Sequence, residues 1–159
     1  MKITRCNPVI SDSGIIIVTL PNFIIAYLVY TKQDYIAYWV DTAANDWKAV
    51  KQLLAGKSYI QALFWAHLVL EKLLKAHWVK DKTGNHPPKI HNLLILISKT
   101  ALSLDEKDMF VLGRMNDFQL EGRYPEYITN IYKLYKLKET TLIFNEADRI
   151  RKCLLKKLQ

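Results

Sequence analysis

A helical hydrophobic periodicity runs from Asp34 to the end of the chain, and this feature constrains the fold more than any other. Apolar residues recur at spacings of three and four, as they do in helices that bury one face. No alternating strand pattern follows residue 33. With short connections, the pattern predicts an all-α antiparallel up-and-down bundle of four to five helices. The expected helices are 34–55, 58–80, 89–101, 104–118 and a last one that begins at Thr140 or Thr141.

Local signals mark several of the expected helix ends. Gly56 is predicted to end the first helix, and Ser58 to cap the second. The loop 81–89, D-K-T-G-N-H-P-P-K, separates the second helix from the third. Ser103 and Glu106 form an S-x-x-E capping-box pattern before the fourth helix. The apolar row of that helix is predicted to consist of Leu104, Phe110, Val111 and Met115.

The first 33 residues do not share the helical pattern. Residues 15–30 are apolar and follow a basic start, which resembles a signal peptide, but Pro21 and Asn22 interrupt the run and no small-x-small cleavage pattern follows. The run is also shorter than the roughly 20 residues that cross a membrane. We therefore predict an extended segment or a short hairpin around Pro21-Asn22, and no membrane association. This divides the chain into an N-terminal extension, 1–33, and a helical domain, 34–159.

Charge and composition narrow the function classes. The net charge of +8 favours polyanionic partners, such as RNA, nucleotides or an acidic protein. Cys6 and Cys153 lie far apart with no CxxC pattern, so neither a metal nor a disulfide framework is predicted, and free thiols fit a cytoplasmic protein. No Gly-rich phosphate loop and no G-x-S-x-G motif occur, so no cofactor is predicted and a nucleotide would be held by side chains and helix ends.

The second predicted helix carries an unusual polar set. His67, Glu71 and Lys75 are spaced four apart, which places them along one side of the helix. We call these three residues the polar seam. They are either the solvated edge of an amphipathic helix, with Glu71 paired to Lys75, or the wall of a groove or dimer interface where Lys75 contacts a phosphate.

Two further places in the sequence could contact a ligand. His91 is predicted to open the third helix, either as a surface or capping residue or as a ligand-facing residue beside free backbone N–H groups. Residues 121–127 read E-G-R-Y-P-E-Y. There Tyr124 could stack on a base beside Arg123, or the tyrosines could simply pack the end of the bundle.

Four segments in this order resemble the HEPN family in its nucleotidyltransferase-associated branch. They are 39–50 (W-V-D-T-A-A-N-D-W-K-A-V), 56–76 (G-K-S-Y-I-Q-A-L-F-W-A-H-L-V-L-E-K-L-L-K-A), 88–93 (P-K-I-H-N-L) and 123–127 (R-Y-P-E-Y). The resemblance implies a helical bundle that usually forms a homodimer and binds a nucleotide or RNA. It also implies a frequent role as the partner of a small nucleotidyltransferase in a toxin–antitoxin module.

The chain departs from the family in one respect. Many HEPN proteins are metal-independent ribonucleases whose R-x4-6-H motifs meet at the dimer interface. Here every arginine except Arg5 follows the last histidine, His91, so this motif cannot be written anywhere. The histidine that would act as general acid or base is missing, and we assign no catalytic residue.

The sequence thus favours a HEPN protein that binds a nucleotide or RNA and acts with a separate nucleotidyltransferase, without the usual ribonuclease site. The predicted site is a groove between the second helix and the end of the fourth. Its phosphate- and base-binding residues are predicted to be Lys72, Lys75, Arg123 and Tyr124, with polar support from His67, Glu71, His91 and Asn116. One alternative is a metal-independent ribonuclease that uses Arg123 with His67 or His91. Another is a dimeric interaction module whose basic face docks an acidic partner.

Overall fold

The computed structural model describes residues 9–10, 15–20, 23–28, 30–121 and 136–159. Its helical part contains α1 (Lys32–Ala55), α2 (Tyr59–Asp81), α3 (Leu93–Ile97), α4 (Glu106–Glu121) and α5 (Leu137–Leu158). None of the described helices is both long enough and apolar enough to cross a membrane.

The N-terminal extension contains three short strands, β1 (Val9–Ile10), β2 (Ile15–Leu20) and β3 (Phe23–Leu28). They form an antiparallel sheet in the order β1-β2-β3. In the β2–β3 pair, Ile15 lies opposite Leu28 and Leu20 opposite Phe23. The strands are rich in isoleucine, whose branched side chain suits extended backbone. The expected hairpin is therefore confirmed.

The helices form the predicted antiparallel up-and-down bundle around α2, which packs against α1, α3, α4 and α5. The C-terminal ends of α2 and α5 meet. This is expected of the second and fourth long helices of an up-and-down bundle, because they run in the same direction. There the His77 Nε2 lies 2.9 Å from the Leu154 carbonyl oxygen, and the Lys80 Nζ lies 2.8 Å from that of Lys157. The Lys157 carbonyl is one of the last four of α5, which have no intrahelical partner, and the Lys80 side chain of α2 satisfies it.

The hydrophobic core runs the length of the bundle. Trp47 of α1 stacks on Phe144 of α5 with ring centroids 4.9 Å apart, and Arg151 lies 4.5 Å from the Trp47 centroid. Trp47 is one of the three buried residues of α1, with Ala43 and Val50. The largest fully buried apolar side chains are Leu63, Leu70, Leu73, Leu74, Leu93, Leu96, Leu112, Met115, Phe118, Ile150 and Leu154.

Two predictions about α4 are wrong. The helix begins at Glu106, and the Asp105 carboxylate accepts the cap hydrogen bond from the Asp108 N–H at 2.7 Å. Glu106 is therefore the first helical residue, whereas a capping box with Ser103 would need it to be the third. Phe110 was predicted to face the core, but it is 67% exposed, whereas the predicted Val111 and Met115 are buried together with Leu112 and Phe118.

The third helix and the turn between α1 and α2 also differ from the predictions. α3 is only five residues long, although a helix over 89–101 was expected. Gly56 ends α1 as predicted, but the left-handed conformation falls on the next residue, Lys57, with φ 59°. The Ser58 N–H bonds the Leu53 carbonyl at 2.8 Å, which makes this turn a Schellman motif. Ser58 occupies the cap position of α2 without a side-chain cap bond.

Candidate functional site

The polar seam is buried, not solvated. His67 is fully buried, while Glu71 and Lys75 are 5% and 7% exposed. The cause is the position of α2, which is enclosed by the other helices, so that its polar side also faces protein. The interpretation of the seam as a solvated edge is therefore wrong.

Glu71 and Lys75 form a buried ion pair. The Lys75 Nζ lies 2.7 Å from the Glu71 Oε1, and it also lies 5.2 Å from the centroid of the Trp39 ring on α1. The carboxylate and the ring face both attract the ammonium group, which partly offsets its loss of water. Trp39 is a partner that the sequence alone did not assign to Lys75.

His91 connects this ion pair to the surface. Its Nδ1 lies 3.1 Å from the Glu71 Oε2 and 3.2 Å from the Oε1, and its side chain is 49% exposed. An Nδ1–H that donates to Glu71 leaves the other ring nitrogen, Nε2, as an acceptor in the neutral ring. The prediction that His91 opens α3 is wrong, because Asn92 is the N-cap and α3 begins at Leu93.

His67 lies at the inner end of the seam. Neither of its ring nitrogens has a hydrogen-bond partner of normal geometry among the described residues. Burial lowers the pKa of His67 to about 4, although the Glu71 carboxylate, the His91 backbone and the Asn116 side chain act in the opposite direction. The His91 backbone and the Asn116 side chain therefore lie close to the ring without forming well-aligned hydrogen bonds. His67 is neutral at physiological pH and keeps unused hydrogen-bonding capacity within the described part of the chain.

Asn116 joins α4 to the start of α3. Its Oδ1 accepts from the Leu93 N–H at 2.8 Å, and its Nδ2 donates to the Asn92 Oδ1 at 3.3 Å. The Asn92 Oδ1 in turn accepts from the Ile95 N–H and caps α3. The structure thus brings four of the predicted site residues to one junction of α2, α3 and α4: His67, Glu71, His91 and Asn116.

The other predicted ligand-binding residues are placed differently. The Lys72 Nζ lies 2.6 Å from the Asp46 Oδ2 of α1, so its charge is held by a carboxylate outside the seam. No sequence pattern singles out Asp46 as the partner of Lys72. Arg123 and Tyr124 lie outside the described residues. Across the ranges that the structure describes, no three His, Cys, Asp or Glu side chains form a group that could hold a metal ion.

The fold and the seam define a helical-bundle protein with a buried ion pair that reaches the surface through a histidine. The HEPN domain family model matches residues 36–158, and the chain belongs to the HEPN family. Neither the comparison with curated proteins nor that with solved structures gave a match. Membership in this family supports a function connected with nucleotides or RNA.

Proposed function

We propose that this HEPN protein binds a nucleotide or RNA at the polar seam, with a phosphate placed where His91 meets the Glu71–Lys75 pair. The observation that carries the proposal is the continuous contact from a buried ammonium group through a carboxylate to a half-exposed imidazole. It provides a polar path from the core of the bundle to its surface.

The energetics of the ion pair support a role other than stability. Removing two charges from water costs several kcal/mol per ion, and well-packed apolar residues of similar volume usually stabilise a fold as well or better. The Glu71–Lys75 pair is therefore poorly explained by stability alone. A phosphate near His91 would favour the imidazolium form, whose Nδ1–H donates to Glu71 while Nε2–H donates to the ligand.

Other parts of the proposal come from the family resemblance. Arg123 would add a bidentate contact to phosphate, and Tyr124 would stack on a base. Lys72 would contribute only after releasing Asp46. We further propose that the protein forms a homodimer in the cytoplasm and acts with a small nucleotidyltransferase, as in a toxin–antitoxin module. The net charge of +8 agrees with a polyanionic ligand.

RNA cleavage is the second candidate, because Glu71 orients the His91 ring. A carboxylate that fixes one ring nitrogen leaves the other as a general base of defined direction. His67 is a poor candidate for this role, since it is fully buried. A ribonuclease of this kind would need Arg123 or another cation to stabilise the developing charge on the phosphate.

The test is calorimetric titration of ATP, GTP and short RNA into the wild-type protein and into His91→Ala, Arg123→Ala and Lys51→Ala. Hydrogen bonds to charged groups contribute about 1.5–3 kcal/mol, so His91→Ala is expected to weaken binding about tenfold or more. Lys51 is an exposed residue of α1 and serves as the matched control.

Absence of binding by the wild-type protein would refute the proposal. Metal-independent cleavage of the RNA that His91→Ala abolishes would instead establish the second candidate. The partner is tested separately, by co-purification with a small nucleotidyltransferase.

A further inference from the structure

An open cleft lies between the beginning of α1 and the connection from α2 to α3. Its volume is about 430 Å³, and one of its lining residues, Trp39, also contacts Lys75 of the polar seam. Most of its lining is aromatic. The lining residues are Tyr30, Asp34, Tyr35, Tyr38, Trp39, Asn85, His86 and Pro87.

The aromatic rings of the cleft meet at steep angles. Tyr35 lies edge-to-face with Tyr30 at 6.0 Å and 60°, and with His86 at 5.2 Å and 82°. Tyr38 and Trp39 meet at 5.4 Å and 75°. Rings at these angles turn both faces and edges toward the cleft. They therefore do not form a parallel slot that would hold a flat ligand. Their faces carry the negative end of the ring quadrupole, which attracts cations.

The charge of the cleft contrasts with that of the whole chain. The chain has 23 Lys and Arg residues against 15 Asp and Glu, yet the described lining contains the Asp34 carboxylate and no Lys or Arg. Hydrogen bonds from the Thr31 hydroxyl and N–H lower the pKa of Asp34, so this carboxylate stays ionised at neutral pH. The Asn85 Oδ1 is buried without a hydrogen-bond partner among the described residues and adds partial negative charge.

Trp39 already contacts one cation in the protein. The Lys75 ammonium lies 5.2 Å from the ring centroid, and Glu71 compensates its charge. The ligand would therefore rely mainly on the tyrosine rings and on Asp34. A primary ammonium group is strongly hydrated and needs several accessible hydrogen-bond acceptors, whereas the Asp34 Oδ2 already accepts twice from Thr31 and the Asn85 Oδ1 is buried. A quaternary ammonium group has no N–H to satisfy, and its methyl groups fit an aromatic lining.

We propose that this cleft binds a quaternary ammonium group, carried either by a small molecule of the choline type or by a trimethylated lysine side chain. The site is separate from the proposed nucleotide site. The two proposals can therefore fail independently.

The experiment is titration of the full chain with choline, tetramethylammonium, free trimethyllysine and the neutral tert-butyl analogue of choline. NMR shifts or calorimetry are the readout. Saturable binding of the cations, but not of the neutral analogue, is expected, because the attraction depends on the charge. A preference for choline or for trimethyllysine then identifies the source of the group.

Variants test the location of the site. Tyr38→Ala is expected to weaken binding about two- to thirty-fold, and because Tyr38 is 59% exposed the fold should be unaffected. Asp34→Asn should weaken binding of the cations alone. Phe110→Ala removes an equally exposed aromatic residue from α4 and should change nothing. Any one of four results would overturn the proposal. They are equal binding of the neutral analogue, no saturable binding of any cation, cation binding that Tyr38→Ala does not change, and occupation of the cleft by a nucleoside instead.

Discussion

Two groups of charged side chains differ sharply in how they relate to water. In the polar seam, the Glu71 and Lys75 side chains are 6% and 9% exposed. The second group, called here the surface group, consists of Arg149, Asp108 and Glu146 and connects α4 to α5. Its Arg149 side chain is 44% exposed, donates a hydrogen bond from Nη2 to the Asp108 Oδ1 and lies 2.8 Å from the Glu146 Oε2. These partners raise the pKa of Arg149. The surface group keeps its cation in water, because Arg149 stays about half exposed although the Asp108 side chain is 7% exposed, whereas both members of the seam pair give up their hydration without an evident gain in stability. Because of this difference in hydration, the seam is the better candidate for a functional site.

The largest expected effect comes from removing one charge of the seam. Glu71→Ala leaves the Lys75 ammonium buried and unpaired, which should lower the free energy of unfolding by about 3–5 kcal/mol. Chemical denaturation measures this loss. The double variant Glu71→Leu/Lys75→Met is the control, because it removes both charges and should restore stability close to that of the wild type.

The double variant Glu71→Leu/Lys75→Met also separates the effect of the seam on stability from its effect on binding. If the seam is a binding site, the double variant should fold but no longer bind nucleotide or RNA. A loss below about 1 kcal/mol for Glu71→Ala, the size found for exposed ion pairs, would show that the seam behaves like the surface group.

The second largest effect concerns pH and His67. Its pKa is about 4 in the folded protein, against an ordinary value of 6.5, so the folded state binds fewer protons than the unfolded state in this window. Stability is full above about pH 6.5 and should fall as the pH drops toward 4, by up to about 3 kcal/mol.

Denaturation of the wild type and of His67→Leu at several pH values measures this contribution. The variant should show a shallower decline between pH 6.5 and 4. Some decline should remain, because burial also lowers the pKa of His77, although the Leu154 carbonyl opposes this shift. Identical slopes for the two proteins would mean that His67 is not held neutral by burial.

The smallest effect is expected at the surface group. Glu146→Ala, which removes a one-third exposed carboxylate from Arg149 and Lys107, should cost about 1 kcal/mol, and the cost should shrink at high salt, as it does for exposed ion pairs. Hydrogen bonds from Arg149 and Lys107 lower the pKa of Glu146 below 4.5. This contribution is therefore present above about pH 4.5 and is lost as the pH falls through the lowered value, a more acidic window than that of His67. Denaturation at low and high salt checks it, and a cost of several kcal/mol would remove the contrast with the seam.

The sequence predicted the bundle because helical periodicity and turn residues are local signals. It identified α1, α2, α4 and α5 to within a few residues, and it located the N-terminal hairpin. It did not predict that the seam is buried, since amphipathic periodicity assumes that a polar side faces water. This assumption fails for α2, because other helices surround it. Whether a helix is surrounded depends on the packing of elements that are distant in sequence.

The candidate site was predicted in part for the same reason. His67, Glu71 and Lys75 were grouped because four-residue spacing is visible in one helix. The approach of His91 and Asn116 depends on how α3 and α4 pack and was inferred only from the family resemblance. Lys72 was predicted with Lys75 as a phosphate contact from its chemistry and its position in the family resemblance, but its place around the helix turns it toward Asp46.

The contact between the ends of α2 and α5 has a consequence for the order of folding. His77 and Leu154 are separated by 77 residues, whereas α1 and α2 are joined by a short turn. Contacts between neighbouring helices form early, while contacts across long separations must first overcome the entropy of closing the chain. We therefore expect the α1–α2 hairpin to form first and the docking of α5 to limit the rate. Until α5 docks, one side of α2 remains open to solvent.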